Sequence, residues 1–371
     1  MESTTVSPII RYPSSRTNSY TDEYCQFKVN IGDSNSKTEI MDFSDLTNKF
    51  IIIPEAIFTS ELNVLEIDDT FILRNLVCKI FRTFFEKNKY YKVSSNKIKS
   101  FVKDVCDKYN DVPYHNFFHA THILHTTYLL LEKCELFTRL NSNILFSILL
   151  SAFLHDIDHP GNNNIFEVNT CSDLAVRYND LSVLEQHHCH VSFELIKKHN
   201  IFEHFTNDEY IICRKTIIAC ILGTDMANHK INLEHLKIKK NNGFSMDNLD
   251  EQYLLGKIII HAADIGNPIQ KPELCEKWAR MVSYEFHNQI MKEEGRGLKP
   301  FTSFNINSES SFYSHEIKYI TYVAKPYWEE LSHIFQCLKS ELDQINTNLQ
   351  FYVGKHKELE QLNFEINIEE Y

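Results

Sequence analysis

The sequence predicts an all-α protein in which many helices surround one hydrophobic core. A series of segments carries apolar residues at intervals of three and four positions, the spacing of a helix with a buried face. Almost no stretch of strand length alternates between apolar and polar residues. Turn-forming residues separate the segments, as in Asp111-Val112-Pro113 and Pro160-Gly161. No fixed-period repeat or linker divides the helical region, so we expect one large domain.

The predicted helices follow one another along most of the chain. In order, they cover residues 70–88, 97–110, 121–137, 144–156, 182–200, 209–225, 251–264, 273–295 and 325–355. Residues 1–50 are polar and lack periodicity, so we expect a disordered N-terminal arm there. The domain is expected to cover residues 51–355, followed by an acidic C-terminal tail over residues 356–371.

Composition and charge limit the partners of the protein. The chain has 371 residues and a formal net charge of −12 at pH 7, which disfavours binding to a nucleic acid polymer or an anionic membrane surface. No apolar run reaches the roughly 20 residues that span a bilayer, and no signal-peptide pattern is present. We therefore expect a soluble protein of the cytoplasm. The ten cysteines include no CxxC pair, which favours reduced thiols over disulfides.

Side chains that can bind a metal ion lie at three apolar helices. His155 and Asp156 end the fourth predicted helix, in the stretch FLHDIDHPG, and Asp264 ends the seventh. His115 and His119, four residues apart in YHNFFHATH, share one helical face. A buried His or Asp costs free energy unless it is paired or bound to a metal ion. We therefore predict that these helix ends meet at a metal site.

The donor atoms at these helix ends mix nitrogen and oxygen, which suits Zn²⁺, Mn²⁺ or iron. Remaining oxygen-rich positions suit a second, harder ion such as Mg²⁺. A lone histidine on an apolar face is more often a satisfied core residue. Core packing, or orientation of a neighbouring ring, is the favoured interpretation for His122, His125, His187, His188 and His190.

Six separated motifs resemble those of one enzyme family. They are YHNFFHATH, FLHDIDHPGNNNIF, YNDLSVLEQHH, ILGTDM, HAADIGNP and PYWEEL. Their order and approximate spacing are similar to those of the catalytic domain of class I 3',5'-cyclic nucleotide phosphodiesterases, over roughly residues 60–350. A single His-Asp pair would indicate only the wider HD hydrolase superfamily. The resemblance implies a compact, multi-helix HD-type metallohydrolase with a two-metal site at the bottom of a pocket.

The resemblance also implies a role for each matching residue. The ligands of the tighter ion, expected to be Zn²⁺, would be His119, His155, Asp156 and Asp264. Asp156 would also contact the second ion, expected to be Mg²⁺ or Mn²⁺. Residues that would hold metal-bound water or support the ligands are His159, Glu185, Asp158, Thr224 and Asp225. Residues that would bind the substrate are Tyr114, Asn267, Val282, Phe286, Glu316 and Tyr319, with Trp278 packing nearby.

The expected reaction is hydrolysis of 3',5'-cyclic nucleotides, cGMP and/or cAMP, to 5'-nucleoside monophosphates. Two cations about 4 Å apart can lower the pKa of a bridging water to roughly 7, so that hydroxide attacks the phosphorus. The O3' alkoxide is a poor leaving group. A protonated His115 would supply its proton, a contribution of about 10²- to 10⁴-fold.

The base-binding end departs from the family pattern. The family has a glutamine ten residues before its Pro-x-Trp-Glu motif and a phenylalanine three residues later, and counting back gives Glu316 and Tyr319. The two positions share a helical face, which supports this register. A one-residue gap would instead place His315 there and leave Glu316 on a solvated face. Val282 and Phe286 are the expected opposite wall of the pocket.

Glutamate in place of glutamine changes what the pocket can recognise. An ionised carboxylate only accepts hydrogen bonds, so it suits the N1–H of guanine and meets the N1 lone pair of adenine. That mismatch would cost about 1 to 3 kcal/mol. Burial could instead raise the pKa of Glu316 until the neutral carboxyl mimics glutamine. We expect a preference for cGMP or dual specificity. Phe301, Thr302 and Ser303 also replace the usual Met- and Asp-containing loop.

Two other functions are alternatives to this reading. A family member with weak or no turnover would bind cyclic nucleotides without hydrolysing them efficiently, as the changed pocket suggests. A different HD-type hydrolase would act on other phosphoesters, although the six motifs extend beyond the metal ligands. The sequence leaves regulation and homodimer formation open.

Overall fold

The structure is a computed structural model that describes residues 56–304 and 308–369, all within the compact unit Ser44–Tyr371. In these ranges every regular element is a helix, so the predicted all-α class is confirmed. The predicted N-terminal arm, residues 1–50, lies outside the described residues. No described helix is long and apolar enough to cross a membrane.

The α-helices of the described residues are numbered in chain order. They are α1 Thr70–Lys87, α2 Ser95–Lys108, α3 Phe117–Lys133, α4 Ser142–Leu154, α5 Asn164–Asn169, α6 Asp173–Tyr178, α7 Val183–Lys198, α8 Asn207–Leu222, α9 His229–Asn242, α10 Leu249–Asp264, α11 Pro272–Glu294, α12 Glu309–Tyr319, α13 Lys325–Ile334 and α14 Lys339–Glu369. Short 3₁₀ turns cover Ala56–Phe58, Val64–Glu66, Leu136–Thr138, Met226–Asn228, Asn267–Ile269 and Gln336–Leu338. A π-helical turn, Ile320–Ala324, joins α12 to α13.

Helix α4 forms the centre of the core. Its residues from Asn143 to Leu154 are all buried, and it packs against α3, α8 and α10. Gly256 of α10 allows a close approach, because a Cβ there would lie 2.9 Å from the side chain of Ile148. The C-terminal ends of α4 and α10 both carry predicted metal ligands, so this close packing helps to bring those ligands together.

Local capping sets where the site-bearing helices begin and turn. The side chain of Asn116 caps α3 by accepting hydrogen bonds from the backbone N–H groups of Phe118, at 2.9 Å, and His119, at 3.3 Å. After α4, Asp158 and Gly161 adopt left-handed conformations, with φ of 62° and 71°. The chain therefore turns sharply just after His155 and Asp156.

Four helices were not among the predicted segments. Helices α5 and α6 have six residues each, too few for periodicity to be visible, and depend on the caps Asn163 and Ser172. Helix α9 buries only Asn232 and Leu236, so it lacks an apolar stripe. For helix α12, the sequence predicted only that Glu316 and Tyr319 share a helical face.

The last predicted helix, residues 325–355, is not continuous. Phe335 leaves the helical region, with φ −117° and ψ 88°, and buries its ring, so the segment divides into α13, a 3₁₀ turn and α14. Helix α14 then runs through residue 355 to Glu369. The predicted boundary between domain and tail thus falls inside a helix, and the domain limits stay predictions.

The π-helical turn before α13 has a local cause. Pro326 lacks the N–H that would bond to the carbonyl four residues earlier. The N–H of Lys325 instead donates to the carbonyl of Ile320, five residues earlier. The widened turn lies immediately after Tyr319 and therefore at the predicted base-binding end.

Candidate active site

Four side chains from three helices converge on one point. His119 comes from the first turn of α3, His155 and Asp156 follow α4, and Asp264 ends α10. The two imidazole Nε2 atoms lie 3.2 Å apart. Asp156 Oδ2 lies 2.9 Å from Nε2 of His155 and 3.3 Å from Nε2 of His119. Asp264 Oδ1 lies 3.3 Å from each of the same nitrogens.

The geometry of this four-residue cluster fits a cation. Ligands about 2.0 to 2.2 Å from one ion lie roughly 3 Å from one another, as these atoms do. Burial disfavours the carboxylate of Asp156, yet the charge of His155 and a hydrogen bond from His119 hold the pKa of Asp156 well below its usual range. The donor set is therefore suited to a positive charge at its centre, as the sequence predicted.

The imidazole rings of the cluster are held in position by their surroundings. The Nδ1 of His155 lies 3.1 Å from the carbonyl oxygen of Ala152, which leaves Nε2 facing the cluster. Trp278, fully buried on α11, stacks on His122 at 4.9 Å and meets the ring of His119 edge-on at 6.3 Å. These contacts support the predicted packing role of Trp278 and the predicted core role of His122.

His115 is paired with a glutamate that the sequence did not single out. Its Nδ1 is hydrogen-bonded to Oε1 of Glu285, on α11. The other oxygen, Oε2, accepts the backbone N–H groups of Tyr114, at 2.9 Å, and His115, at 3.1 Å. Glu285 therefore fixes both the position of the backbone and the orientation of the imidazole.

Charge pairing favours the protonated form of His115. Burial opposes the imidazolium, but the carboxylate of Glu285 outweighs it and raises the pKa of His115 to about 9. Burial likewise opposes the carboxylate, and His115 lowers the pKa of Glu285 to about 2. At neutral pH the pair is an imidazolium beside a carboxylate, and the imidazolium carries a transferable proton.

His159 stacks on the ring of His115, with centroids 4.0 Å apart. Its Nδ1 accepts the backbone N–H of Gly161 at 3.0 Å. Burial, followed by the nearby charge of His115, holds the pKa of His159 well below its usual range. His159 is therefore a neutral imidazole. Its Nε2 does not take part in the hydrogen bond with Gly161.

The acidic groups expected near a second ion also lie close to Asp156. Burial, then the charges of Asp225 and Asp156, raise the pKa of Glu185 to about 7. Glu185 accepts a hydrogen bond from the amide of Asn164 at 2.9 Å. His188 Nε2 lies 3.8 Å from Asp156 Oδ1 on this side. The second oxygen of Asp156 thus faces a region of further acidic and imidazole groups.

Thr224 and Asp225 mainly stabilise the turn between α8 and α9. The hydroxyl of Thr224 donates to the carbonyl of Ile221 at 2.8 Å. Asp225 accepts from the backbone N–H of Ala227 at 2.8 Å and from the hydroxyl of Ser182 at 2.7 Å. The support of a metal ligand or its water by these two residues, which the resemblance implied, stays a prediction.

Asp158 belongs to neither of the two clusters of candidate metal ligands found among the described residues, which are the four-residue cluster and the group of His115, His159 and Glu285. Its Oδ2 contacts Nε2 of His187 at 3.0 Å, and its Oδ1 accepts from the amide of Asn110 at 3.3 Å. Hydrogen bonding by His187 lowers the pKa of Asp158. The structure therefore gives Asp158 contacts with His187 of α7 and with Asn110, just after α2, rather than with the metal ligands.

The predicted substrate residues near the metal cluster are joined by hydrogen bonds. The amide of Asn267 donates to the hydroxyl of buried Tyr114 at 2.9 Å, and Asn267 Oδ1 has no partner among the described residues. Tyr319 donates its hydroxyl to the carbonyl of Ile265, next to Asp264, at 3.0 Å. Helix α12 is thereby linked to the loop that follows α10.

Glu316 is buried, with 5% of its surface exposed, so the alternative that places it on a solvated face is wrong. No described residue forms a hydrogen bond or ion pair with its carboxyl group, and burial alone raises the pKa of Glu316 to about 8. His315 instead packs its ring against Phe286, at 6.1 Å, and Phe304, at 5.3 Å. At physiological pH burial therefore favours the neutral form of Glu316, which has no partner in residues 56–304 and 308–369.

The predicted opposite wall lies on α11 and is partly exposed. Val282 and Phe286 are one turn apart, and Phe286 meets Phe301 edge-on at 5.3 Å. The backbone N–H of Phe301 donates to the carboxylate of Glu293 at 3.0 Å. The unusual loop is thus attached to the same helix that carries Glu285.

The chain is similar to known proteins of one family. The family model described as "3'5'-cyclic nucleotide phosphodiesterase" matches residues 114–345, which include both ligand clusters and helix α12. The chain belongs to this family. The recognition made from the six motifs is therefore confirmed.

Curated relatives of this phosphodiesterase-family chain carry related names. It is 30% identical over 320 residues to the high affinity cGMP-specific 3',5'-cyclic phosphodiesterase 9A of Drosophila melanogaster, covering 84% of this chain and 21% of the relative. The human protein of the same name is 33% identical over 233 residues, covering 62% and 39%. The cGMP-specific 3',5'-cyclic phosphodiesterase alpha of Plasmodium falciparum is 32% identical over 242 residues, covering 64% and 25%. The chain thus spans 21% to 39% of the length of these relatives.

Solved phosphodiesterase domains share the fold of this family member. The crystal structure of the phosphodiesterase domain of the RhoPDE fusion protein from the choanoflagellate Salpingoeca rosetta is 32% identical, with a TM-score of 0.78. The alignment covers 86% of this chain and 100% of that domain. A second crystal structure, of the phosphodiesterase domain of Salpingoeca rosetta rhodopsin phosphodiesterase, gives a TM-score of 0.79 at 32% identity and covers 88% and 98%. The predicted multi-helix HD-type fold is thereby confirmed.

Proposed function

We propose that this chain hydrolyses 3',5'-cyclic nucleotides to 5'-nucleoside monophosphates. The observation that carries the proposal is the juxtaposition of the four-residue cation cluster with the imidazolium of His115, within a domain of the phosphodiesterase family. Such a pair of features can combine activation of water with protonation of a leaving group. The names of the curated relatives support the same substrate class.

The residues present suit two divalent cations, which we propose to be Zn²⁺ at the tighter position and Mg²⁺ or Mn²⁺ at the second. His119, His155, Asp156 and Asp264 would hold the first ion. Asp156 would also contact the second, with His159, Glu185, Asp225 and Thr224 supporting its waters or ligands. When bound, the two ions would activate the attacking water and neutralise phosphate charge. Asp158 contacts His187 and Asn110 rather than any of these proposed ligands.

We assign the role of general acid to His115. Glu285 holds its Nδ1, so Nε2 is the nitrogen left to donate a proton to the O3' atom. The buried carboxylate keeps the imidazole protonated at neutral pH, which a general acid requires before bond cleavage. Glu285 is a positioning residue, since it acts through His115 and does not itself reach the substrate in this proposal.

The nucleotide would occupy the space between α11 and α12. Tyr319 would stack on one face of the base, with Val282 and Phe286 on the other. Asn267 and Tyr114 would provide polar contacts near the metal cluster, because the Oδ1 of Asn267 is buried without a partner among the described residues. Glu316 would face the Watson–Crick edge of the base.

We propose cGMP as the preferred substrate, with a preference that depends on the protonation of Glu316. A neutral carboxyl both donates and accepts, so it can bind the edge of either purine as glutamine does. The ionised form can still accept the N1–H of guanine but repels the N1 lone pair of adenine. Discrimination against cAMP should therefore increase as the pH rises through about 8.

The test is formation of 5'-GMP and 5'-AMP from the cyclic nucleotides, with Mg²⁺ or Mn²⁺ supplied. Asp264→Asn should abolish turnover of both nucleotides, because one cluster ligand becomes neutral. Asp250→Asn, an exposed substitution at the other end of α10, is the matched control and should leave turnover unchanged. Metal content measured on both variants separates loss of the ions from loss of the fold.

A second candidate is a family member that binds cyclic nucleotides but hydrolyses them weakly, and the unpaired Glu316 favours it. Equilibrium binding of cGMP and cAMP to the wild-type protein decides between the two. Tight binding by metal-loaded protein that forms no product would support this second candidate and contradict hydrolysis.

A further inference from the structure

Two cysteines far apart in the sequence lie side by side in the fold. Cys134 caps the C-terminal end of α3, and Cys337 lies in the 3₁₀ turn between α13 and α14. Their Sγ atoms are 3.7 Å apart, although 203 positions separate the two residues along the chain. No other pair of cysteines in residues 56–304 and 308–369 makes a sulfur–sulfur hydrogen bond, so this contact is distinct from the packing of the other thiols.

The two thiols differ in exposure. Cys337 is exposed, whereas Cys134 is buried with 4% of its surface accessible. Burial, and next the neighbouring sulfur of Cys337, raise the pKa of the Cys134 thiol. A reagent in solution therefore reaches Cys337 first, and Cys134 is positioned to react with whatever Cys337 becomes.

The backbone segments that carry the two cysteines are already held together. The ammonium of Lys133 donates to the hydroxyl of Ser340 at 2.9 Å and forms an ion pair with Glu341. Both contacts join the end of α3 to the first turn of α14, next to Cys134 and Cys337. Only a small movement of the side chains is needed to bring the sulfurs to bonding distance.

We propose that Cys134 and Cys337 are an intramolecular redox site that forms a reversible disulfide when the protein meets a peroxide. The thiolate of Cys337 attacks one oxygen of hydrogen peroxide and the O–O bond breaks, which gives a sulfenic acid and hydroxide; the hydroxide takes the proton that the Cys337 thiol released on ionisation and becomes water. The sulfur of Cys134 then attacks the sulfenic sulfur, and the departing hydroxide takes the thiol proton to form a second water. Two electrons pass from the two sulfurs to the peroxide, and a thiol reductant later reduces the disulfide to two thiols and is itself oxidised to a disulfide.

The disulfide would stabilise the fold without changing the active site. It would join the end of α3 to the α13–α14 junction and close a loop of about 200 residues, which restricts the unfolded chain. We expect the melting temperature to rise by about 5 °C or more. Cys134 lies fifteen residues after His119 on α3, or about 22 Å along the helix axis, so turnover should stay within about twofold of the reduced enzyme.

The experiment treats the reduced, full-length chain with hydrogen peroxide and compares it with Cys337→Ser and Cys171→Ser. Cys171 is the matched control, because it is also exposed and has no sulfur neighbour in the part of the chain that the structure describes. Non-reducing electrophoresis in denaturant should show a faster-migrating monomer for the wild type and for Cys171→Ser. Thiol titration should fall by two from the ten thiols of the sequence, and a thiol reductant should restore them.

Peptide mapping decides the identity of the pair. The expected result is one linked peptide that contains Cys134 and Cys337, absent from Cys337→Ser. The proposal is overturned if all ten thiols survive peroxide, if Cys337 is oxidised to a sulfinic acid while Cys134 stays free, or if Cys337 is linked to another molecule. None of these readouts depends on cyclic nucleotide hydrolysis.

Discussion

The metal-binding end and the base-binding end of this site differ in how their polar groups are satisfied. At the metal end, the carboxylate oxygens of Asp156 and Asp264 lie 2.9 to 3.3 Å from the two imidazole nitrogens, and His115 is paired with Glu285. At the base end, Glu316 is equally buried but has no partner among the described residues. The polar groups of the first region contact one another, whereas the second region has a carboxyl group whose charge depends on pH.

This difference separates the chemistry from the selectivity. Attack on the phosphorus and protonation of O3' involve groups that are common to both nucleotides. In the proposed reaction the purine would be recognised on helix α12 by Glu316, a residue that departs from the family pattern. Changes at the metal end should therefore affect cGMP and cAMP alike, and changes at the base end should affect their ratio.

The largest effect should come from removal of divalent cations. Incubation with a chelator should lower the turnover of cGMP and cAMP by more than about 10³-fold, because the carboxylate and imidazole cluster alone cannot activate water. Addition of Mn²⁺ or Mg²⁺ with Zn²⁺ should restore both activities in their original ratio. If the ratio of cGMP turnover to cAMP turnover changed with the metal supplied, the metal-binding end would also contribute to selectivity.

Substitution of Glu285 should have the next largest effect. In Glu285→Gln, the pKa of His115 falls because the carboxylate that favours the imidazolium is gone. A general acid is lost as the pH rises through its pKa, so the alkaline limb of the kcat profile should move from about pH 9 to lower pH. We expect kcat at pH 8 to fall about 10- to 100-fold for both nucleotides.

The control for this prediction is Gln289→Glu or Gln289→Ala on the same helix, which should leave the pH profile in place because Gln289 contacts Asn163 and Glu293 instead. A Glu285→Gln enzyme with reduced kcat and an unchanged alkaline limb would show that Glu285 acts only on folding.

Substitution of Glu316 should change the selectivity between cGMP and cAMP and leave the metal-binding end and His115 unchanged. For the wild type, the ratio of kcat/KM for cGMP over cAMP should rise about tenfold between pH 7 and pH 9, as Glu316 loses its proton. In Glu316→Gln the ratio should be independent of pH, because an amide does not titrate. If the ratio of kcat/KM changed with pH in the same way in both proteins, Glu316 would have no role in base recognition. Glu273→Gln, an exposed change on α11, is the control.

The same substitution should also affect stability in a pH-dependent way. The raised pKa of Glu316 means that the folded state holds a proton which the unfolded chain releases above about pH 4.5. Wild-type stability is therefore lost, relative to Glu316→Gln, as the pH rises from about 4.5 to 8. Thermal melts of the two proteins should diverge across this range and run parallel above it.

The smallest effect is expected for Tyr319→Phe. This change keeps the stacking surface and removes the hydrogen bond to the carbonyl of Ile265. The free energy of unfolding should fall by about 1 kcal/mol, and the KM for either nucleotide should change less than about threefold. A loss of kcat comparable to that of Glu285→Gln would show that the hydroxyl positions Asp264, and would connect the two ends of the site.

Much of the site was predictable because its signals are local. The apolar helices that end in His155-Asp156 and in Asp264, and the four-residue spacing of His115 and His119, indicated which polar side chains would be brought together. The resemblance extended this to the pocket, and the burial of Glu316 supports the register that the resemblance implied. The short helices α5 and α6 and the polar helix α9 carry too little periodicity to be predicted.

The pairing of Glu285 with His115 could not be predicted from the sequence. It lies seven residues after Trp278, on the same face of α11, and that spacing was the only signal that it would be buried. Its partner His115 is 170 positions away, so no local pattern could connect the two. The contact between Cys134 and Cys337 joins residues 203 positions apart, so no local pattern could predict it either.

The sequence by itself determined the all-α class and the helices whose ends carry the candidate metal ligands, because helix periodicity and capping are short-range properties. Only the tertiary structure decided which distant groups meet: Glu285 with His115, the two sulfurs at the end of α3, and the absence of a partner for Glu316 within the described residues. Those outcomes depend on how helices pack against one another. Packing is set by the shape of the whole core, which no single segment of the chain contains.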